Sequence, residues 1–254
     1  MNRSTGTALL HTLVETGDHR ICYAEGRSDR LVVSLAGVGT LPASVPPFEF
    51  IGTAWDDGEN HVLLASERRR TWLNDTAFAD MLVAQIAHHV ERLGIREVVC
   101  LGNSMGGFMA LALPRLTRVD CVIAFSPQYS ADPCEVPEEQ RWLRWRSGIT
   151  HFRVPTVRPL DPTARDHFIF HGDAMKERIH WQRFPKDARL HHFILRKRGH
   201  NIVQDMKDRD ILRDVVRLAI SRKPRKLRLL LEQHFDVARR EALAPAEAHL
   251  PLHA

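Results

Sequence analysis

Glu97-Val98-Val99-Cys100-Leu101 runs straight into Gly102-Asn103-Ser104-Met105-Gly106-Gly107, and the apolar stretch Phe108-Met109-Ala110-Leu111-Ala112-Leu113 follows without a break. An apolar run of strand length, a cluster of small residues and a second apolar run predict a buried strand, a tight turn and a buried helix. In that context G-x-S-x-G sets a serine at the apex of the turn, with Gly102 and Gly106 sparing the backbone a side-chain collision as it bends. The hydroxyl then stands above the sheet at a helix N-terminus, whose free N–H groups favour a developing negative charge. A glycine-rich connection ending in an ordinary N-cap serine is the competing reading, and the flanking strand and helix weigh against it.

Outward from this turn the same rhythm repeats. Short apolar runs at 31–36, 61–65, 97–101, 119–125, 167–170 and 190–195 read as strands buried on both faces, as in a parallel sheet. Between them the spacing predicts helices at 76–93, 106–113 and 201–220, with Gly94 stopping the first. Residues 11–24, with Gly17-Asp18 between two apolar stretches, predict an opening β-hairpin. The fold class is therefore α/β, a mainly parallel central sheet flanked by helices, with ligand sites at the carboxyl ends of the strands. Prolines punctuate 126–166, where a short helix at 135–147 carries Trp142 and Trp145; this interval reads as a small cap. The main domain is set at 1–220, and 221–254 is read as a basic C-terminal segment with a helix at 226–242 and a tail.

Composition narrows the class of protein. With 254 residues, 44% hydrophobic and 26% charged, the chain can build one sizeable core and is neither disordered nor fibrous. A net charge of +5 is too small to imply nucleic acid, which is not expected as a partner. No run approaches the roughly 18 apolar residues that span a bilayer, and the first twenty residues lack a secretory apolar core. Cys22, Cys100, Cys121 and Cys134 show no C-x-x-C spacing and are expected as reduced, buried thiols in a cytoplasmic protein.

Over about residues 11–220 the sequence resembles the α/β-hydrolase superfamily, whose members carry nucleophile, acid and histidine in that chain order. After the elbow come His171-Gly172-Asp173, which looks like the family's acid-bearing turn, and Gly199-His200-Asn201, which looks like its histidine turn. The resemblance implies a catalytic set of Ser104, Asp173 and His200, with Asp132 as the weaker alternative acid. A serine hydroxyl is a poor nucleophile near neutral pH, so the histidine takes its proton and the carboxylate orients the imidazole. The resemblance also implies an oxyanion hole from the Met105 and Val38 N–H groups, with Gly37 or Gly39 open as the second donor. Ala36 stands where many members have histidine, and no run of three glycines follows, which argues against the lipase branch.

No H-E-x-x-H or paired cysteine spacing suggests a metal, and no phosphate-binding loop or dinucleotide fingerprint suggests a nucleotide. Neither metal nor organic cofactor is expected. The expected activity is that of a serine hydrolase cleaving a small-molecule ester or thioester through a Ser104 acyl-enzyme. An acyltransferase with the same residues and an idle binding scaffold on the same fold are the alternatives. Arg68, Arg69, Arg70, Arg196, Lys197 and Arg198 follow predicted strands, so an anionic substrate drawn to a basic mouth is a further expectation.

Overall fold

The computed structural model describes residues 8–41, 43–158, 160, 164–238 and 243. Its elements in chain order are β1 (His11–Glu15), β2 (His19–Ala24), β3 (Arg30–Leu35), α1 (Ile51–Trp55), β4 (His61–Glu67), α2 (Thr76–Leu93), β5 (Glu97–Asn103) and α3 (Met105–Ala112). There follow β6 (Cys121–Phe125), α4 (Leu143–Arg146), β7 (Asp166–Gly172), α5 (Met175–Trp181), β8 (Leu190–Leu195), α6 (Ile202–Lys207), α7 (Leu212–Ile220), α8 (Pro224–His234) and β9 (Val237–Ala238). A single sheet runs β1-β2-β4-β3-β5-β6-β7-β8-β9. From β4 to β8 every neighbouring pair is parallel, while the β1–β2 hairpin and β9 add antiparallel edges.

Alternating strand residues separate two cores. Val98 and Cys100 face α2, α3 and the cap, whereas Val99 and Leu101 face α1, α6, α7 and α8. This two-sided burial is why the central strands read as continuous apolar runs. From β3 the chain crosses to β4 on one side and then to β5 on the other, opening a crevice beyond the carboxyl ends of β3 and β5. Ser104 lies there.

Three elements depart from the sequence reading. The helix expected at 201–220 is two helices, broken where Asp210 takes a left-handed φ of 55°. In 135–147 only α4 is helical. The rest wraps around the buried Arg146, whose guanidinium donates to Ala131 O at 2.7 Å and Glu139 O at 2.6 Å. The helix expected at 226–242 stops at His234 with Phe235 extended, and Val237–Ala238 pairs with β8 instead. Residues 239–242 lie outside those described. Of the four cysteines, all are free thiols and three are buried, but Cys134 is exposed.

Candidate active site

Ser104 sits at φ 56°, ψ −119°, a strained conformation that its glycine neighbours make attainable. A Cβ on Gly102 would strike the backbone of Gly106, and one on Gly106 would strike Leu35 O. The serine N–H donates to Phe125 O at 2.8 Å, tying the elbow to β6, while its carbonyl accepts from Phe108 N–H at 3.0 Å in the first turn of α3. Met105 N–H heads that helix. The serine is 4% exposed, and its Oγ accepts from Gln128 Nε2 at 3.1 Å.

His200 is held on a neighbouring loop by Ser126, whose hydroxyl donates to the His200 carbonyl at 2.9 Å. Its ring packs by Trp142 of the cap, with centroids 6.1 Å apart. The carboxylate on His200 Nδ1 is that of Glu177, at 3.0 Å. Asp173, in the half-buried turn after β7, makes no hydrogen bond or ion pair with His200. Nor does Asp132, whose carboxylate accepts from Cys134 N–H at 2.8 Å. Glu177 comes from α5, which the sequence reading missed. Four residues beyond Asp173, this helix turns the carboxylate back toward the histidine loop. His200 Nε2 makes no hydrogen bond to Ser104 Oγ in this structure.

Glu177 belongs to a buried ionic network. Arg141 from the cap donates to Glu177 Oε1 at 2.7 Å and grips Glu139 at 2.6 Å. Glu139 in turn accepts from His180 Nε2 at 2.7 Å. Burial pushes the Glu177 carboxyl up, but the His200 hydrogen bond and the charges of His200, His171 and Arg141 outweigh it and hold its pKa at about 2. For Glu139, burial is likewise outweighed by His180 and Arg141, again giving about 2. His171, wholly buried, is pushed down to about 4 by desolvation.

The loop after β3 is built by Arg70. Its fully buried guanidinium donates to Val38 O at 2.8 Å, Leu41 O at 2.8 Å and Ser44 O at 3.0 Å, and also to Arg68 O. Gly37 N–H is taken by the Glu49 carboxylate, whose pKa burial raises to about 7. That engagement takes Gly37 N–H away from Ser104 and leaves Val38 and Gly39 as the loop's candidate donors.

The basic residues expected at the mouth are mostly engaged. Arg70 is buried on carbonyl groups; Arg68 pairs with Asp18 at 2.5 Å and Arg69 with Asp75 at 2.9 Å. Arg196 lies 3.7 Å from Asp236 and Arg198 3.5 Å from Asp205. Each pair cancels at short range the field its arginine would project, so six free cations do not face the site. Only Lys197 of the six is exposed without a partner among the described residues.

A serine on a strained strand-to-helix turn, a histidine–carboxylate pair beside it and a mostly parallel nine-stranded sheet define an α/β hydrolase fold. The chain belongs to the alpha/beta hydrolase family, whose family model matches residues 10–253. Among solved structures it is similar to the capsule O-acetyltransferase of Neisseria meningitidis serogroup A, with a TM-score of 0.56 and 11% identity over 84% of this chain and 97% of that one. A mutant of that enzyme in complex with CoA gives 0.55 and 12%, over 82% and 97%. Proline iminopeptidase of Mycobacterium smegmatis gives 0.47 and 15%, over 89% and 98%. At these identities the likeness is one of fold. No curated protein matches the sequence. Among the described residues no helix is long and apolar enough to cross a membrane.

Proposed function

We propose that the protein is a serine hydrolase acting on a small-molecule ester or thioester through a Ser104 acyl-enzyme. The observation that supports this best is the strained Ser104 at the head of α3, with the His200–Glu177 pair tethered next to it through Ser126. His200 Nε2 takes the hydroxyl proton as Oγ bonds to the acyl carbon. The same proton passes to the leaving oxygen or sulfur as its bond to carbon breaks. Water then repeats the cycle on the acyl-enzyme. The hydrogen bonds of such a set tighten in the substrate complex, so the open Ser104–His200 pair fits this reading.

Glu177, ionised across the working pH range, fixes the imidazole tautomer and stabilises the imidazolium; Asp173 has no part in that role. Met105 and Val38 N–H groups receive the oxyanion, with Arg70 holding the Val38 carbonyl and thus the loop. Buried free thiols fit a reducing compartment, and the reading includes a cytoplasmic setting. Acyl transfer to an alcohol or amine is the second reading. It is favoured by the near-complete burial of Ser104, which keeps bulk water from the acyl-enzyme.

The test is labelling with a fluorophosphonate, together with turnover of a chain-length series of esters and acyl-thioesters. Ser104→Ala is expected to stay folded and lose both. Labelling confined to another serine, such as Ser126, overturns the assignment, and transfer to an added alcohol outrunning hydrolysis selects the second reading.

A further inference from the structure

Gln128 is the buried polar side chain that touches the reacting oxygen, and its orientation is unambiguous. Trp72 Nε1–H can only donate, and it meets Gln128 Oε1 at 3.1 Å, so the amide NH2 must be the end on Ser104 Oγ. Both Trp72 and Gln128 are buried. The backbone on either side is clamped as well. Tyr129 N–H donates to His180 Nδ1 at 3.1 Å, and Pro127 O accepts from His171 Nε2 at 2.9 Å. His192 Nε2 lies 2.9 Å from His171 Nδ1 and completes the proton assignment, donating to the nitrogen that His171 leaves bare. Three anchors thus hold one amide N–H on the serine, a degree of preorganisation that an incidental contact does not need.

The sheet order says which part of a substrate this amide meets. β3 and β6 flank β5 on opposite sides, so the Val38 loop and Gln128 approach Ser104 from opposite directions. With the substrate carbonyl oxygen turned to the β3 side, the rest of the acyl group lies toward Gln128. Once Oγ is acylated it becomes an ester oxygen, a much weaker acceptor than a hydroxyl, and the buried N–H is stranded unless the acyl group offers a replacement. We propose that Gln128, locked by Trp72, selects acyl groups carrying a hydrogen-bond-accepting oxygen on the carbon next to the scissile carbonyl. This rests on Ser104 being the nucleophile.

The experiment compares kcat/KM for 4-nitrophenyl methoxyacetate and 4-nitrophenyl butyrate, esters of equal length that differ by one ether oxygen in place of CH2. Intrinsic reactivity cancels when the methoxyacetate-to-butyrate ratio of wild type is divided by that of Gln128→Met, which keeps the volume and loses the donor. A ratio about tenfold higher in wild type is expected, the cost of one unpaired buried donor. Trp72→Phe, which lets the amide flip, is expected to lower the ratio too and covers the case in which Gln128→Met does not fold. Equal ratios in wild type and both folded variants, with Ser104→Ala inactive, overturn the selection rule alone. Turnover surviving in Ser104→Ala overturns the nucleophile assignment instead. No turnover of either ester by the wild type overturns the selection rule, while fluorophosphonate labelling of Ser104 decides the nucleophile separately.

Discussion

Within the proposed catalytic set, the residue whose role is least apparent from the sequence is Glu177. A carboxylate that orients a histidine must stay ionised while the histidine changes charge, and the neighbours of Glu177 secure that by holding its pKa at about 2. Glu177→Gln leaves the shape intact but lets the amide bind the wrong tautomer. The expected loss in kcat is about 10³- to 10⁴-fold, by analogy with the same change in serine-protease triads. Asp173→Asn, which disturbs no bond to His200, is expected to leave kcat unchanged. Steady-state rates of the two variants decide the matter, and the opposite ranking would restore the acid to the turn after β7.

At the scale of elements, the elbow works because β5, α3 and β3 approach too closely for any side chain at Gly102 or Gly106. Gly106→Ala would press a methyl group onto Leu35 O, backbone that cannot move aside, and is expected to cost about 3 kcal/mol or more. Gly52→Ala in α1, where a Cβ meets nothing within 4 Å, is the control. It is expected to gain up to about 1 kcal/mol from helix propensity. Urea midpoints of the two variants provide the check. The same elements mark how far the sequence could be read. Strands buried on both faces and the 18-residue α2, capped by Asp75 and stopped by Gly94, announce themselves through period and punctuation. As candidates, Ser104 and His200 were legible because each sits in a short local pattern. Glu177 and Gln128 were not, since the roles proposed for them rest on contacts with His200, 23 residues away, and with Ser104, 24 residues away. The cap was misread as a longer helix because helix propensity cannot register a buried arginine that folds its own segment.

For the whole molecule, buried titratable groups around the carboxyl edge of the sheet set how stability depends on pH. Glu139 and Glu177, at about 2, lie below the roughly 4.3 of an unfolded glutamate. Their contribution is complete above that value and lost as pH falls through about 2. His171, at about 4 against roughly 6.5 unfolded, works in the same direction: the unfolded chain takes the proton first, so stability drops between those values on acidification. Glu49 and Glu67 have the opposite sign. Burial raises both to about 7, so the folded state holds a proton that the unfolded state has released. Their contribution is complete below about 4.3 and lost as pH rises through about 7. Glu67 is wholly buried at the end of β4, its carboxyl accepting from Thr71 N–H and from Thr71 Oγ1 at 3.0 Å, with Asp75 nearby adding repulsion. Glu67→Gln keeps an acceptor for Thr71 N–H and cannot ionise. Between pH 5 and pH 8.5 Glu67 and Glu49 remove stability while His171 adds it, so the expected outcome is a difference: Glu67→Gln gains stability relative to the wild type as pH rises across this window. Urea unfolding of the full chain at the two pH values measures the difference; an unchanged gap in the variant would show that Glu67 is not a titrating group.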